Sequence, residues 1–422
     1  MTGKVIVSHP NKQHSMQLAY ALQESELLDS FVTRLFTTWE FRPFSWFRWL
    51  PPKVKETIEH KFFDKTRHYH PKLNHNKIRI INSASFLCPT MLRDLKLVSK
   101  QRWVETLYKN SHHFQRKVAN MVLRNGSILV CYDGYALVAF SEVRKKSKDT
   151  KLILDLSSAH PNTLKKIFNE ELEFSPMYKE SLNINSRSTL RLFDQIAREV
   201  DLADYILAGS SFVRQSCIEN NVSPEKIILL PYGSDMTRII PYTSPKTHGK
   251  FRILFVGRIE QRKGIRYLLD AVSNLSLPDI ELWLCGNIMG DREALSPYEK
   301  IYTHLGYIPH NKMAEIYSQV DVLVFPSLAD GFGFVLLEAM AAGIPVITTD
   351  HTVGPDIISD GKEGFIIPIR DSQAIAEKIL WLKEHRDICL DIGTKARQVA
   401  EQYTWQHYYN RAGNIFEKLA RA

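Results

Sequence analysis

Two carboxylates and two cations in the second half of the chain have the spacing to hold an elongated polar ligand. Asp330 and Glu338 flank a glycine pair in the stretch PSLADGFGFVLLEAMAAGIPVITTD, residues 326–350. Gly331 and Gly333 leave the backbone bare just ahead of good helix formers at 335–342, and Gly343 stops them. Amides at such a helix start carry partial positive charge and suit a phosphate or another anion. At a rise of about 1.5 Å per residue, Glu338 lies on the order of 5 Å beyond the helix start. The two acids can therefore take opposite ends of a ligand whose anionic middle rests on the helix terminus, which is the shape of a nucleotide sugar. A plain strand, helix, strand unit with a solvated Glu338 explains this stretch equally well on its own.

A second cluster tips the balance. In GRIEQRKG, residues 257–264, Arg258 and Lys263 stand five positions apart beside a predicted helix start, where they can grip a diphosphate from both sides. Each charge-assisted hydrogen bond of that kind contributes roughly 1.5–3 kcal/mol. The first half offers one further candidate, His160 in SSAHP, at the carboxyl end of a predicted strand. Ligands collect at that edge of open α/β sheets, although a single loop histidine is more often structural than catalytic.

These groups need a scaffold of alternating strands and helices, and the pattern supplies one. Short apolar runs predict strands at 4–8, 31–36, 127–133, 151–156, 205–208 and 227–230, then at 251–256, 281–285, 303–305, 321–325, 345–347 and 364–367. Helical spacing covers 16–25, about 90–123, 162–174, 187–200, 372–385 and 386–402. Gly134 begins a further helix, Ser211 is the expected cap of another, and the last helix lies within 403–422 behind a threonine. Three prolines and two glycines in 231–249 mark the linker between two domains.

A chain of 422 residues exceeds one ordinary core, and its 44% hydrophobic and 24% charged content is that of a folded protein. It has no apolar run of about 18 residues that would cross a membrane, and the first run is too short for a signal-peptide core. A cytoplasmic protein is expected, with peripheral attachment to the inner face of a membrane as an option. Cys88, Cys131, Cys217, Cys285 and Cys389 are scattered without a CxxC pair, so free thiols are expected in place of disulfides or zinc.

The formal charge of +9 suits an anionic substrate, a nucleic acid or an anionic membrane. Between 39 and 79, ten cations stand against four anions, and Phe36, Trp39, Phe41, Phe44, Trp46, Phe47 and Trp49 lie among or just ahead of them. Segment 36–79 thus suits the edge of a bilayer, where each nearby cation adds about 1 kcal/mol on an anionic surface. A loop-rich insertion packed on its own domain accounts for it slightly better. No RNP-like motif accompanies the arginines and aromatics, so nucleic acid is not an expected partner.

With both clusters in view, the second half resembles the retaining nucleotide-sugar glycosyltransferases of family 4, whose fold is GT-B. The resemblance runs from about residue 203 to the end. AGSSFVRQSCIENNVSPEKIILLPYGSD, FVGRIEQRKG, ADGFGFVLLEAMAAGIPVI and the YTW closing helix fall in the family's order and spacing, whereas the first 150 residues match weakly. The resemblance implies an α/β fold of two Rossmann-like doubly wound domains facing across a cleft. Residues 1–235 would bind the acceptor and 236–405 the nucleotide-sugar donor, and the helix at 406–422 would cross back to the first domain. By resemblance, Arg258 and Lys263 hold the donor diphosphate, Glu338 accepts the ribose hydroxyls, and Asp330 faces the donor sugar near the reacting carbon. Amides of Gly331, Phe332 and Gly333 would support the sugar and β-phosphate, and His160 matches the family histidine that reaches the donor sugar. The chain departs from the family twice. Asp330 stands where glutamate is usual, and HPNKQHS lacks the paired glycines of the family's first loop, so that Lys12, Gln13 or Ser15 would replace backbone amides there.

The activity so implied is retaining transfer of a hexosyl unit from a nucleotide diphosphate sugar to a hydroxyl of a sugar or lipid-linked acceptor, as in cell-surface polysaccharide or glycolipid synthesis. An anionic leaving group needs fixed positive charge preorganised where charge develops. The acceptor enters from the face the diphosphate leaves and passes its proton to the departing phosphate oxygen, so no separate base is required. No Asp-x-Asp triplet is present to seat a divalent ion, so metal-independent chemistry is expected, with no cofactor besides the sugar nucleotide substrate. The rivals are a nucleotide-sugar epimerase on the same fold, which would alter a sugar without an acceptor, and a non-catalytic GT-B binding protein. A phosphorylase lacks a pyridoxal-lysine motif here. A dehydrogenase is disfavoured because no G-x-G-x-x-G follows the first strand and GFGFVL fails at its last position.

Overall fold

The structure is a computed structural model and describes residues 4–10, 14–34, 51, 70–81, 100–182, 184, 186–236, 239, 249–290 and 292–421. Among the described residues, apolar runs become thirteen strands: β1 Val5–Ser8, β2 Leu28–Thr33, β3 Ile78–Ile80, β4 Ile128–Tyr132, β5 Lys151–Leu156, β6 Tyr205–Ala208, β7 Ile227–Leu229, β8 Phe251–Val256, β9 Ile280–Cys285, β10 Tyr302–Gly306, β11 Val322–Phe325, β12 Val346–Thr349 and β13 Gly364–Ile367. They form two sheets, in the orders β3-β2-β1-β4-β5-β6-β7 and β10-β9-β8-β11-β12-β13. β1, β4 and β11 are buried at every position, as strands of a parallel sheet covered on both faces must be.

The order of the second sheet decides where its chemistry sits. β9 and β10 lie to one side of β8, and β11, β12 and β13 to the other. β8 and β11 run parallel and adjacent, with Val322 opposite Ile253 and Leu323 opposite Leu254. The loops that leave their carboxyl ends therefore emerge side by side at a topological switch point, where open α/β sheets bind ligands.

The chain divides into two compact units, Met1–Asp155 with Gln195–Leu207 and Tyr409–Ala422, and Leu156–Asp194 with Ala208–Tyr408. Within the first, fully buried Glu199 accepts the backbone N–H of Gly134 at 2.6 Å and of Ala136 and Leu137 at 2.9 Å. It caps the helix Leu137–Arg144, whose N-cap residue Ala136 has no side chain to do so. Burial pushes the Glu199 carboxyl up to about 7 against the pull of these donors and of Gln195. The end of the helix Trp405–Arg421 is tied down in this unit, where Lys151 Nζ donates to the Leu419 carbonyl at 2.8 Å.

Several boundaries differ from the sequence reading. β2 opens at Leu28, three residues early, because the ladder continues past the polar interruption: Leu28 pairs with Val5 and Ser30 with Ile6, and Asp29 between them is passed over where the register shifts. The helix after Gly134 starts at Leu137, and the cap expected at Ser211 is Ser210, whose hydroxyl accepts the Val213 N–H. Cys131, Cys217, Cys285 and Cys389 are free thiols. No helix among the described residues is long and apolar enough to cross a membrane. Lys12, Gln13, Cys88, most of 231–249, and segment 36–79 apart from Pro51 and 70–79, lie outside the described residues.

Candidate active site

The turn that follows β8 is shaped by where its side chains must go. Gln261–Lys263 forms one short 3₁₀ turn, and Gly264 follows at φ +70° as the N-cap of the helix Ile265–Leu275. Any side chain at 264 would strike the Pro326 carbonyl, since a Cβ there would lie 1.9 Å from that oxygen. The turn thus packs backbone to backbone on the loop that leaves β11. Leu328 N–H donates to the Arg262 carbonyl at 3.0 Å, and the Arg262 guanidinium returns a 3.0 Å bond to the Ala329 carbonyl.

This stitching brings together two residues that the sequence reading singled out separately. The Lys263 ammonium donates to the Asp330 carboxylate, with side chains only 11% and 18% exposed. Lys263 Nζ also lies over the Phe325 ring at 4.7 Å. Burial would push the Asp330 carboxyl up, but the Lys263 ammonium and the Arg262 guanidinium outweigh it and hold the group below its ordinary value. Burial pulls the Lys263 ammonium down, although Asp330 opposes that. The pair places a fixed cation against a fixed carboxylate in a site of low dielectric.

Arg258 stands apart from this pair. Its guanidinium reaches Glu260 at 3.2 Å and is 56% exposed, and Arg262 binds the same carboxylate at 2.9 Å. The two cations expected to grip one diphosphate are therefore held by different carboxylates, Arg258 by Glu260 and Lys263 by Asp330. Glu260 and Arg262 escaped the sequence reading. Their signal was present, because a buried acid two residues from each of two arginines orients them both.

The glycine loop is clamped from several sides. Gly331 meets the backbone after β5, where a Cβ would sit 1.9 Å from the Ser157 carbonyl oxygen, and Ser210 Oγ donates to the Gly331 carbonyl at 2.7 Å. Asp330 N–H donates to the His351 carbonyl and Val353 N–H to the Phe332 carbonyl, each at 2.9 Å. Gly333 adopts φ +90° as N-cap of the helix Phe334–Ala341, which begins one residue earlier than expected. His160, in the SSAHP loop beside Ser157, is buried and caps the helix Pro161–Phe174. Its Nδ1 accepts the Asn162 N–H at 3.3 Å, and its own N–H donates to Ser216 Oγ at 2.8 Å.

Glu338 lies in the second turn of the helix Phe334–Ala341, where the Tyr317 hydroxyl donates to it at 2.9 Å. His310 Nδ1 stands 3.8 Å from its other oxygen. Burial pushes the Glu338 carboxyl up, opposed by His310 and Tyr317. The sequence reading missed Tyr317 because nothing local links it to the helix it serves. Ser15, a candidate in the first loop, is buried at the start of the helix Ser15–Glu24. Among the described residues no three His, Cys, Asp or Glu side chains gather as metal ligands.

Comparison with known proteins follows the same outline. Residues 238–399 match the family model described as glycosyl transferases group 1. D-inositol 3-phosphate glycosyltransferase of Corynebacterium aurimucosum is 25% identical, covering 51% of this chain and 57% of that protein. Alpha-maltose-1-phosphate synthase of Mycolicibacterium smegmatis is also 25% identical, covering 52% of this chain and 65% of its own length. The chain spans little more than half the length of the first curated relatives it matches. Sucrose-phosphate synthase of Thermosynechococcus elongatus superposes over 99% of both chains with a TM-score of 0.68 at 17% identity. HepE of Anabaena, solved in complex with UDP-glucose, does so over 99% of this chain and 100% of its own with a TM-score of 0.58 at 15% identity. The two parallel sheets are those of the GT-B fold, the α/β architecture implied by the sequence resemblance. Fold, paired loops and family match together identify residues 238–399, which carry Lys263, Asp330 and Glu338, as a domain of the glycosyl transferases group 1 family.

Proposed function

We propose that this protein is a retaining glycosyltransferase of family 4 that moves a hexosyl unit from a nucleotide diphosphate sugar to a hydroxyl of a sugar or lipid-linked acceptor. The observation that carries this reading is the meeting of Lys263 and Asp330 where the loops after β8 and β11 run side by side. The complex of HepE with UDP-glucose supports a nucleoside diphosphate sugar as donor. In this reading residues 236–405 take the donor and 1–235 the acceptor, with the helix at 406–422 completing the acceptor half.

The diphosphate takes the place of Asp330 at the Lys263 ammonium, with Arg258 on its outer side. Glu338 accepts the ribose hydroxyls, amides of Gly331, Phe332 and Gly333 support the sugar and β-phosphate, and His160 and Asp330 face the sugar. The bond between the sugar's C1 and the β-phosphate oxygen breaks as the acceptor oxygen bonds C1 on the same face, and the acceptor proton passes to the departing phosphate oxygen. The fixed cations stabilise charge that develops on the leaving group. No divalent ion is required in this scheme. The basic and aromatic segment 36–79 supports a lipid-linked acceptor at an anionic membrane surface. Flotation with liposomes with and without anionic lipid tests that point, and no association with either removes it.

Thermal-shift measurements against a panel of nucleoside diphosphates and their sugars test the donor. A ligand at 100 times its dissociation constant stabilises the native state by about 2.7 kcal/mol, so at least one base raises the melting temperature. No rise with any member of the panel sinks the reading.

A further inference from the structure

We propose that Glu171 is a positioning residue, which holds the helix bearing His160 at a fixed distance from the turn bearing Lys263. The inference rests on the glycosyltransferase reading, since it assigns those two residues to the sugar and phosphate ends of one donor.

Glu171 lies near the carboxyl end of the helix Pro161–Phe174 and is fully buried. Its Oε1 accepts from Ser175 Oγ at 2.6 Å, from Gln261 Nε2 at 2.7 Å and from the Tyr267 hydroxyl at 3.0 Å. Its Oε2 accepts from the same Tyr267 hydroxyl at 3.0 Å and from Arg370 Nε at 2.8 Å. Burial, with the Glu171 carboxylate next, pushes the Tyr267 hydroxyl up to about 12, so the tyrosine stays a donor. Arg370 adds bonds to Glu170 at 3.0 Å and to the Ile167 carbonyl at 2.7 Å, and it does so from φ +64°, a conformation rare outside glycine.

One carboxylate thus gathers donors from the turn after β8, the helix after it and the loop after β13. Gln261 is the decisive one, because it opens the Gln261–Lys263 turn and its own Oε1 fixes the Arg266 N–H at 3.1 Å. The same helix is pinned at its other end, where His160 bonds Ser216 and the preceding loop abuts Gly331. Eleven residues of helix make a rigid strut of about 16 Å between the two anchor points. A nucleoside diphosphate alone needs Arg258, Lys263 and Glu338, whereas sugar transfer also needs His160 in register with them. Loss of the strut therefore costs turnover more than nucleotide affinity.

The test compares Glu171→Gln with Gln261→Met, which cuts the link to the Lys263 turn together with the bond from the Arg266 N–H and keeps the pair of Glu171 with Arg370. Each folded variant is assayed for kcat, for donor KM, and by calorimetry for the nucleoside diphosphate that shifts the wild type. A fall in kcat of at least about tenfold, with the dissociation constant within about threefold of wild type, is the expected result. If Glu171→Gln does not fold, Gln261→Met decides. Unchanged kcat in a folded variant overturns the inference, and so does loss of affinity in proportion to loss of rate, because that marks general damage. A wild-type protein that transfers no sugar fails in the control lane and overturns the parent reading instead.

Discussion

Lys263 and Asp330 are 67 residues apart in the chain and form one ion pair, closed by loops that leave two adjacent parallel strands. In the proposed reaction the ammonium passes from carboxylate to phosphate when the donor arrives. Lys263→Ala then lowers turnover by about 100-fold or more, the usual consequence of removing one preorganised donor at a developing charge. Leaving Asp330 buried without its partner destabilises the fold by about 3 kcal/mol, and circular dichroism verifies that the variant stays folded. Unaltered activity in folded Lys263→Ala would show that the phosphate sits elsewhere.

The Tyr317 hydroxyl donates to Glu338 and favours its ionised form, and in the proposed reading it thereby orients the carboxylate for the ribose. Tyr317→Phe removes a hydrogen bond to a charged group, worth about 1.5 kcal/mol, so donor KM rises about tenfold while kcat holds. Burial already raises the Glu338 carboxyl, so nucleotide affinity starts to fall on the acid side above the ordinary carboxylate range. Loss of the tyrosine hydroxyl moves that fall to still higher pH. Titration calorimetry across the acid range reads both effects, and an identical pH profile in the variant counts against the pairing.

Gly264 and Gly361 both adopt left-handed backbone, at φ +70° and +77°, but only Gly264 meets a neighbour, the Pro326 carbonyl. Gly361→Ala pays the conformational strain alone, about 1 kcal/mol. Gly264→Ala adds the collision and prises the turn from the loop, so it loses more stability than Gly361→Ala, and activity with it. Urea denaturation of the two variants separates the terms, and equal losses would show that the contact is not tight.

Sequence alone located most of the scaffold, because buried parallel strands are short, apolar and framed by breakers. β5, β6, β8 and β13 fall where the apolar runs place them. Lys263 and Asp330 were each singled out beside a glycine and a helix start, but their meeting in one ion pair was not, because it depends on the pairing of β8 with β11. Partners supplied by distant segments were not. Tyr317 serves Glu338 and Glu171 serves Gln261 through tertiary contacts that leave no periodic trace. Ser210 and Ser211 show the limit on local rules, because two adjacent serines have equal capping propensity and only the chain's entry angle chooses between them.

Acid should loosen the first unit through His70. Its ring stacks on Tyr20 at 4.5 Å and bonds the Tyr409 hydroxyl, and burial lowers its pKa to about 4. Between pH 4 and the ordinary value of about 6.5, the unfolded chain takes up a proton that the folded one refuses. The contribution is therefore complete above about pH 6.5 and is lost as the pH falls toward 4, up to about 3 kcal/mol. His70→Gln flattens the stability profile in that window, as urea midpoints at either end would register. A drop of the same size in the variant would assign the acid sensitivity to other groups.

The mutual bonds between Arg262 and the segment from Ser327 to Ala329 make the two loops a single inheritable module. If the proposed donor site is correct, a chimera built to change donor preference must graft both stretches from one parent. Taken from different parents, they would meet with mismatched backbones, and the hybrid would lose its ion pair before its new specificity could be read.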